Sequence, residues 1–168
     1  LLDLKERDRP PIDVSMPNRA VRIWFWVLGV LFTAVVGGFG AIRYLNFFTP
    51  NFDFGLFCNM FYNMSKRFLP LVTSERDMLL SHFAVHISPI YYLLLPLYML
   101  FPSPITLQVG QAAVIASGLI PLYLLAKERK LSKAAVAALA ALYVFFPALA
   151  GGTLFDLHEN KFLTALIL

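Results

Sequence analysis

Three stretches of about twenty residues without a formal charge decide what this chain can become. Ile23 to Ile42, Ile105 to Ala126 and Ala134 to Phe155 run for 20, 22 and 22 residues with no Asp, Glu, Lys or Arg. A helix rises about 1.5 Å per residue, so about 20 apolar residues cross the hydrocarbon core of a bilayer. The rest of the chain does not restore a soluble balance. It is 59% hydrophobic and 14% charged, with a mean hydropathy of +0.70, whereas a soluble domain carries about a quarter charged residues. Too few polar side chains remain to cover a water-facing globule. The sequence predicts an all-α integral membrane protein.

The flanks of these stretches predict its topology. Trp24 and Trp26 open the first stretch, and Arg43 with Tyr44 closes it, as interfacial anchors do. Gly37, Gly38 and Gly40 give it a small face for close helix packing. Residues 1–20 are polar and contain Pro10, Pro11 and Pro17. Arg19 and Arg22 put this tail on the cytoplasmic side by the positive-inside rule. Ile87 to Phe101 is apolar but only 15 residues long, with Pro89 and Pro96 inside it. A full crossing there would put Lys127, Arg129, Lys130 and Lys133 outside, against the same rule, so an interfacial or re-entrant segment is expected.

The expected membrane domain, 21–168, therefore has spans near 23–42, 105–126 and 134–155 and a partial fourth from 162. The loop 45–104 and the patch 156–161 share the external face of the cytoplasmic (inner) membrane. Phe57, Met60, Phe61 and Met64 recur at spacings of three and four, which predicts a short amphipathic helix at the membrane surface. The chain opens on Leu and ends in the short apolar run Leu163–Leu168, so the expected partners are membrane lipid and a remainder of its own chain.

That external face gathers the candidate functional residues. Asp53, in Pro50-Asn51-Phe52-Asp53-Phe54-Gly55, is either a helix N-cap or a carboxylate held at the membrane surface for catalysis. His82 and His86 stand four apart and would share one face of a helix. With a carboxylate they could hold a divalent metal, or they are polar groups in ordinary hydrogen bonds. Asp156, His158 and Glu159 place three ionisable groups within four residues, suited to a metal, a phosphate or a substrate hydroxyl, or else to a solvated loop. Metal-ligating candidates are thus His82, His86, Asp156 and His158. Gln108 and Gln111 lie inside the second span, where polar residues face other helices rather than lipid. The single cysteine, Cys58, excludes an internal disulfide. A Gly-rich phosphate loop, a CxxC pair and a basic stripe interleaved with aromatics are all missing, so a nucleic-acid partner is not expected.

An ordered set of short motifs resembles a known family. It runs Phe52-Asp53-Phe54-Gly55-Leu56-Phe57, His82-Phe83 with Pro89, and Pro96-Leu97-Tyr98 with Pro102 and Pro104. It continues through Gln111, Pro121-Leu122-Tyr123, Pro147-Ala148, Phe155-Asp156 and His158. Over residues 43–162 the chain resembles the domain-of-unknown-function family 2079 of predicted membrane proteins, which is similar to the GT-C glycosyltransferases. The resemblance implies the N-terminal part of a GT-C-like helical bundle, whose long first external loop carries membrane-surface helices. It implies a glycosyltransferase with a polyprenyl-phosphate-linked sugar donor and a separate acceptor.

By this resemblance Asp53 would take the place of the acidic motif after the first helix, as catalytic base, and Asp156 that of the second acidic position. His82, His86, Asp156, His158 and Glu159 would then bind substrate, through the donor phosphate or a divalent metal. Here Asp53 is followed by Phe54 rather than by a second acid, and no lysine of the kind found in some relatives stands near His82. Two other classes fit the residues: a transporter or flippase with Gln108, Gln111 and the histidines along a polar path, and a non-catalytic assembly subunit.

Overall fold

The computed structural model describes residues 19–49, 51–155 and 157–167. The first helix, α1, is continuous over Arg19–Leu45. Its 27 residues extend about 40 Å, more than the roughly 30 Å of a hydrocarbon core. Thr33–Gly37 forms one π-helical turn, where the Thr33 hydroxyl donates back to the Gly29 carbonyl at 2.9 Å. A second long apolar helix, Pro104–Glu128, lies along α1 at the glycines. A Cβ on Gly37 would stand 3.0 Å from the Val109 Cα, and one on Gly40 would stand 2.9 Å from the Gln108 Oε1. A side chain at Gly37 would press on main chain, and one at Gly40 on the end of the buried Gln108 side chain.

After α1, helix α2 covers Asn51–Arg67, with Asp53 in its first turn and Lys66 and Arg67 in its last, matching the helix dipole. A two-stranded antiparallel ladder follows, β1 (Leu71–Val72) and β2 (Leu80–Ser81), paired Leu71 with Ser81 and Val72 with Leu80. This ladder is an exception to the expected all-α architecture. The apolar segment 87–101 becomes a 3-10 turn, Pro89–Leu93, and a six-residue helix α3, Leu95–Leu100. Six helical residues span about 9 Å, too little to cross a bilayer.

Helix α4 covers Pro104–Glu128. Ser103 caps it by accepting from the Ile105 N–H at 3.2 Å, and Pro104 occupies the first turn, where no N–H is needed. Near Gly118 the helix is interrupted, three residues before Pro121, whose missing N–H breaks the hydrogen-bond ladder. The Tyr143 hydroxyl reaches the helix beside Gly118 and donates to the Ile115 carbonyl at 2.7 Å.

The charge-free stretch 134–155 is not a single helix. Helix α5 covers Lys133–Phe145 and helix α6 covers Pro147–Phe155. Between them Phe146 is extended, with φ −64° and ψ 116°, because the residue before a proline is driven out of the helical region. A 3-10 turn, Glu159–Phe162, and helix α7, Leu163–Ile167, complete the described chain.

Two layers result. In one, α1 packs along α4 and α5, with Phe32, Val36, Ala112, Ile115 and Leu149 in one cluster and Phe25, Leu119, Val136 and Ala140 in another. Outward from it, α1 shows a belt of uncovered apolar side chains, Val30 at 65% and Val35 at 67% exposed among them. Such a belt needs a nonpolar solvent or partner. In the other layer, Phe54, Phe57, Met60, Phe61 and Met64 of α2 pack onto Tyr91, Leu95, Tyr98, Leu107, Leu157 and Phe162. The apolar stripe of α2 is therefore covered by protein, not left free for lipid.

Candidate functional site

A cavity of about 200 Å³ opens in the second layer, lined by Asp53, Leu56, Phe57, Glu75, His82, His86, Leu157, His158, Glu159 and Lys161. All three histidines of the chain meet there. They come from two segments separated by the whole of α3, α4, α5 and α6. The cavity sits beside the end of α1, where the Tyr44 and Phe54 rings meet edge to face at 5.8 Å. It also adjoins the first half of α4, where the buried Gln111 accepts from the His158 backbone N–H at 3.1 Å.

Each wall has a local cause. Asp53 is exposed and lies two residues inside the start of α2, so it is not the N-cap of that helix. His82 and His86 do not share a regular helix, because His82 opens a 3-10 turn that ends at Ala84. A single longer bond from the His86 N–H to the His82 carbonyl, 2.9 Å, still brings their rings to 5.7 Å. His82 is buried and His86 exposed. The His82 Nδ1 lies 2.9 Å from the Glu75 Oε2.

The opposite wall is held by Glu159. Its Oε2 accepts from the Tyr91 hydroxyl at 2.7 Å and lies 3.2 Å from the His158 Nδ1. Burial pushes the Glu159 carboxyl up. The hydrogen bonds from Tyr91, its own backbone and Ser88, with the neighbouring His158, outweigh that and hold it below the ordinary 4.5.

Of the candidates read from the sequence, Asp53, His82, His86, His158 and Glu159 line this one cavity, while Asp156 lies outside the described residues. Glu75, Tyr91 and Lys161 belong to the site and were not among them. Among the described residues no three of His, Cys, Asp or Glu are grouped to hold a metal ion, so His82, His86 and His158 do not make a ligand set by themselves. Gln108 and Gln111 are both buried. Gln108 faces Gly40 and Gln111 faces His158.

Every residue of this wall falls within one region of family similarity. A family model described as "Predicted membrane protein (DUF2079)" matches residues 43–168. The chain belongs to this family. No curated protein and no solved structure matches it. For a member of family 2079, the uncovered apolar belt of α1 has a simple reading. Two helices of the described chain, Arg19–Leu45 and Pro104–Glu128, are long and apolar enough to cross a membrane. Lipid is an environment in which such surfaces can stand uncovered.

Chemically, the cavity combines acceptors (Asp53, Glu75, Glu159), a fixed cation (Lys161) and three imidazoles. Carboxylates and imidazoles can take protons from hydroxyls. Lysine and protonated imidazoles can meet the charge of a phosphate.

Proposed function

We propose that this chain carries the reaction site of a membrane glycosyltransferase of GT-C type, which takes sugar from a polyprenyl-phosphate-linked donor at the non-cytoplasmic face. The observation that supports this reading is the collection of Asp53, three histidines, Glu159 and Lys161 around one cavity, tied to the long apolar helix α4 by the bond from the His158 N–H to Gln111. A donor of this class needs its lipid tail in the bilayer and its phosphate and sugar just outside the hydrocarbon, which is where polar groups at helix ends stand. Asp53 deprotonates or orients the acceptor hydroxyl. Lys161, His86 and His158 face the donor phosphate, and Glu159 holds His158 in place.

The test is transfer by the purified full-length protein in lipid, using polyprenyl-phosphate sugars and following release of polyprenyl phosphate. Asp53→Asn should lower turnover about 100-fold or more, the scale on which misplacing a reacting hydroxyl is felt. Unchanged turnover in that variant removes Asp53 from the reaction. Flux of the donor across the bilayer without any product replaces the enzyme reading with a flippase.

A further inference from the structure

His82 is the most enclosed imidazole of the cavity, with 2% of its surface exposed. Its Nδ1 meets the carboxylate of Glu75, a side chain itself only 10% exposed, at 2.9 Å. Its Nε2 is buried and has no hydrogen-bond partner among the described residues. An ionised carboxylate can only accept, so the Nδ1 must carry the proton, and a neutral ring then keeps its lone pair on Nε2. The ring is held edge to face against Phe57 at 5.5 Å and lies 6.4 Å from Tyr91. Turning it over would give up the Glu75 bond. A buried acceptor without a partner is costly to maintain, and here it stands on a residue that lines the polar cavity.

We propose that Glu75 is a positioning residue that fixes His82 as the Nδ1–H tautomer, and that His82 Nε2 is the atom that receives the proton of an acceptor hydroxyl bound in the cavity. This rests on the transfer reading and divides its labour: Asp53 orients the hydroxyl and His82 takes the proton. In the step, the acceptor oxygen forms a bond to the sugar C1. The bond from C1 to the phosphate oxygen breaks, and its electron pair leaves on polyprenyl phosphate. The hydroxyl proton moves to Nε2, and water removes it after product leaves. An imidazole is intrinsically a stronger base than a carboxylate, and the Glu75 carboxylate offsets the charge that the ring gains.

Two readouts on the full-length protein in lipid nanodiscs test this. The first is the ¹⁵N spectrum of labelled histidine, with the His82 signals assigned by their loss in His82→Gln. His82 should show a protonated Nδ1 and a bare Nε2, and Glu75→Ala should convert it to a mixture of tautomers. A wild-type His82 protonated at Nε2 alone, or a tautomer indifferent to Glu75→Ala, overturns the positioning role. The second readout is turnover of a polyprenyl-phosphate sugar.

His82→Gln should lower kcat about 100-fold or more with little change in donor KM. Glu75→Ala should lower kcat about 10-fold, the low end of the effect of losing a histidine's orienting carboxylate, and Glu75→Asp should recover most of it. Glu75 lies in a loop, so its variants test the pair even where His82→Gln fails to fold. Wild-type kcat in folded His82→Gln, or in Glu75→Ala, overturns the proton-accepting role. A wild-type protein that shows the stated tautomer but turns over no donor overturns the transfer reading and the proton step with it, and leaves the Glu75-set tautomer standing.

Discussion

Around Glu159 a handful of hydrogen bonds decides the charge of a partly buried carboxyl. Its value lies below the ordinary 4.5 because Tyr91, the backbone, His158 and Ser88 together outweigh burial. A carboxyl lowered by folding stabilises the fold above its unfolded value, and that contribution is lost as pH falls through the folded value. Tyr91→Phe removes a hydroxyl donor to a charged acceptor while keeping the buried ring. It should destabilise the protein at neutral pH by about 1.5–3 kcal/mol, the usual worth of such a bond. The gap to wild type should narrow below the carboxylate range, where both proteins carry a neutral Glu159. Thermal unfolding in detergent across pH checks this, and a gap constant with pH would assign the loss to packing alone.

His82 and Glu159 could be singled out in the sequence by residue type and spacing. Glu75 could not, because it lies seven residues before His82 in a stretch with no helical or strand period. It reaches His82 because β1 pairs with β2 and folds the intervening loop back.

Helices α1 and α4 pack as closely as their glycines allow. Gly37→Ala would push a Cβ to 3.0 Å from the Val109 Cα, and main chain cannot give way as a side-chain tip can. It should cost about 1–3 kcal/mol, as overpacking does. Gly38→Ala, with nothing within 4 Å, should be neutral or slightly stabilising, by up to about 1 kcal/mol through helix propensity. Midpoints of thermal unfolding for the two variants, measured side by side, test the asymmetry.

The sequence marked all three glycines as one small face but could not rank them, since that depends on how α1 is rotated against α4. It also showed the apolar stripe of α2 without showing what covers it. Tyr91, Tyr98 and Phe162 come from distant segments, and a stripe facing protein looks the same in sequence as one facing lipid. Pro147 was visible too, but its effect on Phe146 turns one expected span into two helices.

At the scale of the whole molecule, the spanning assignment of α4 makes a geometric demand. If α4 crosses the bilayer, the cavity and the Lys127–Lys133 cluster lie on opposite faces. With Cys58 changed to Ser, single cysteines at His86→Cys and Lys130→Cys should react with a membrane-impermeant maleimide from opposite sides of oriented vesicles. Labelling of both from one side would refute the crossing.

The sequence by itself determined that the chain is apolar and helical, and where its long apolar runs lie. Those properties follow from composition and local pattern, which every residue carries with it. It also supplied Asp53, His82, His86, His158 and Glu159 as candidates. Only the tertiary structure decided that these five share one cavity with Glu75 and Lys161, and that His82 keeps one ring nitrogen buried without a partner. Such facts depend on segments more than a hundred residues apart in the chain coming together, such as those of Asp53 and Glu159, and no local pattern encodes them.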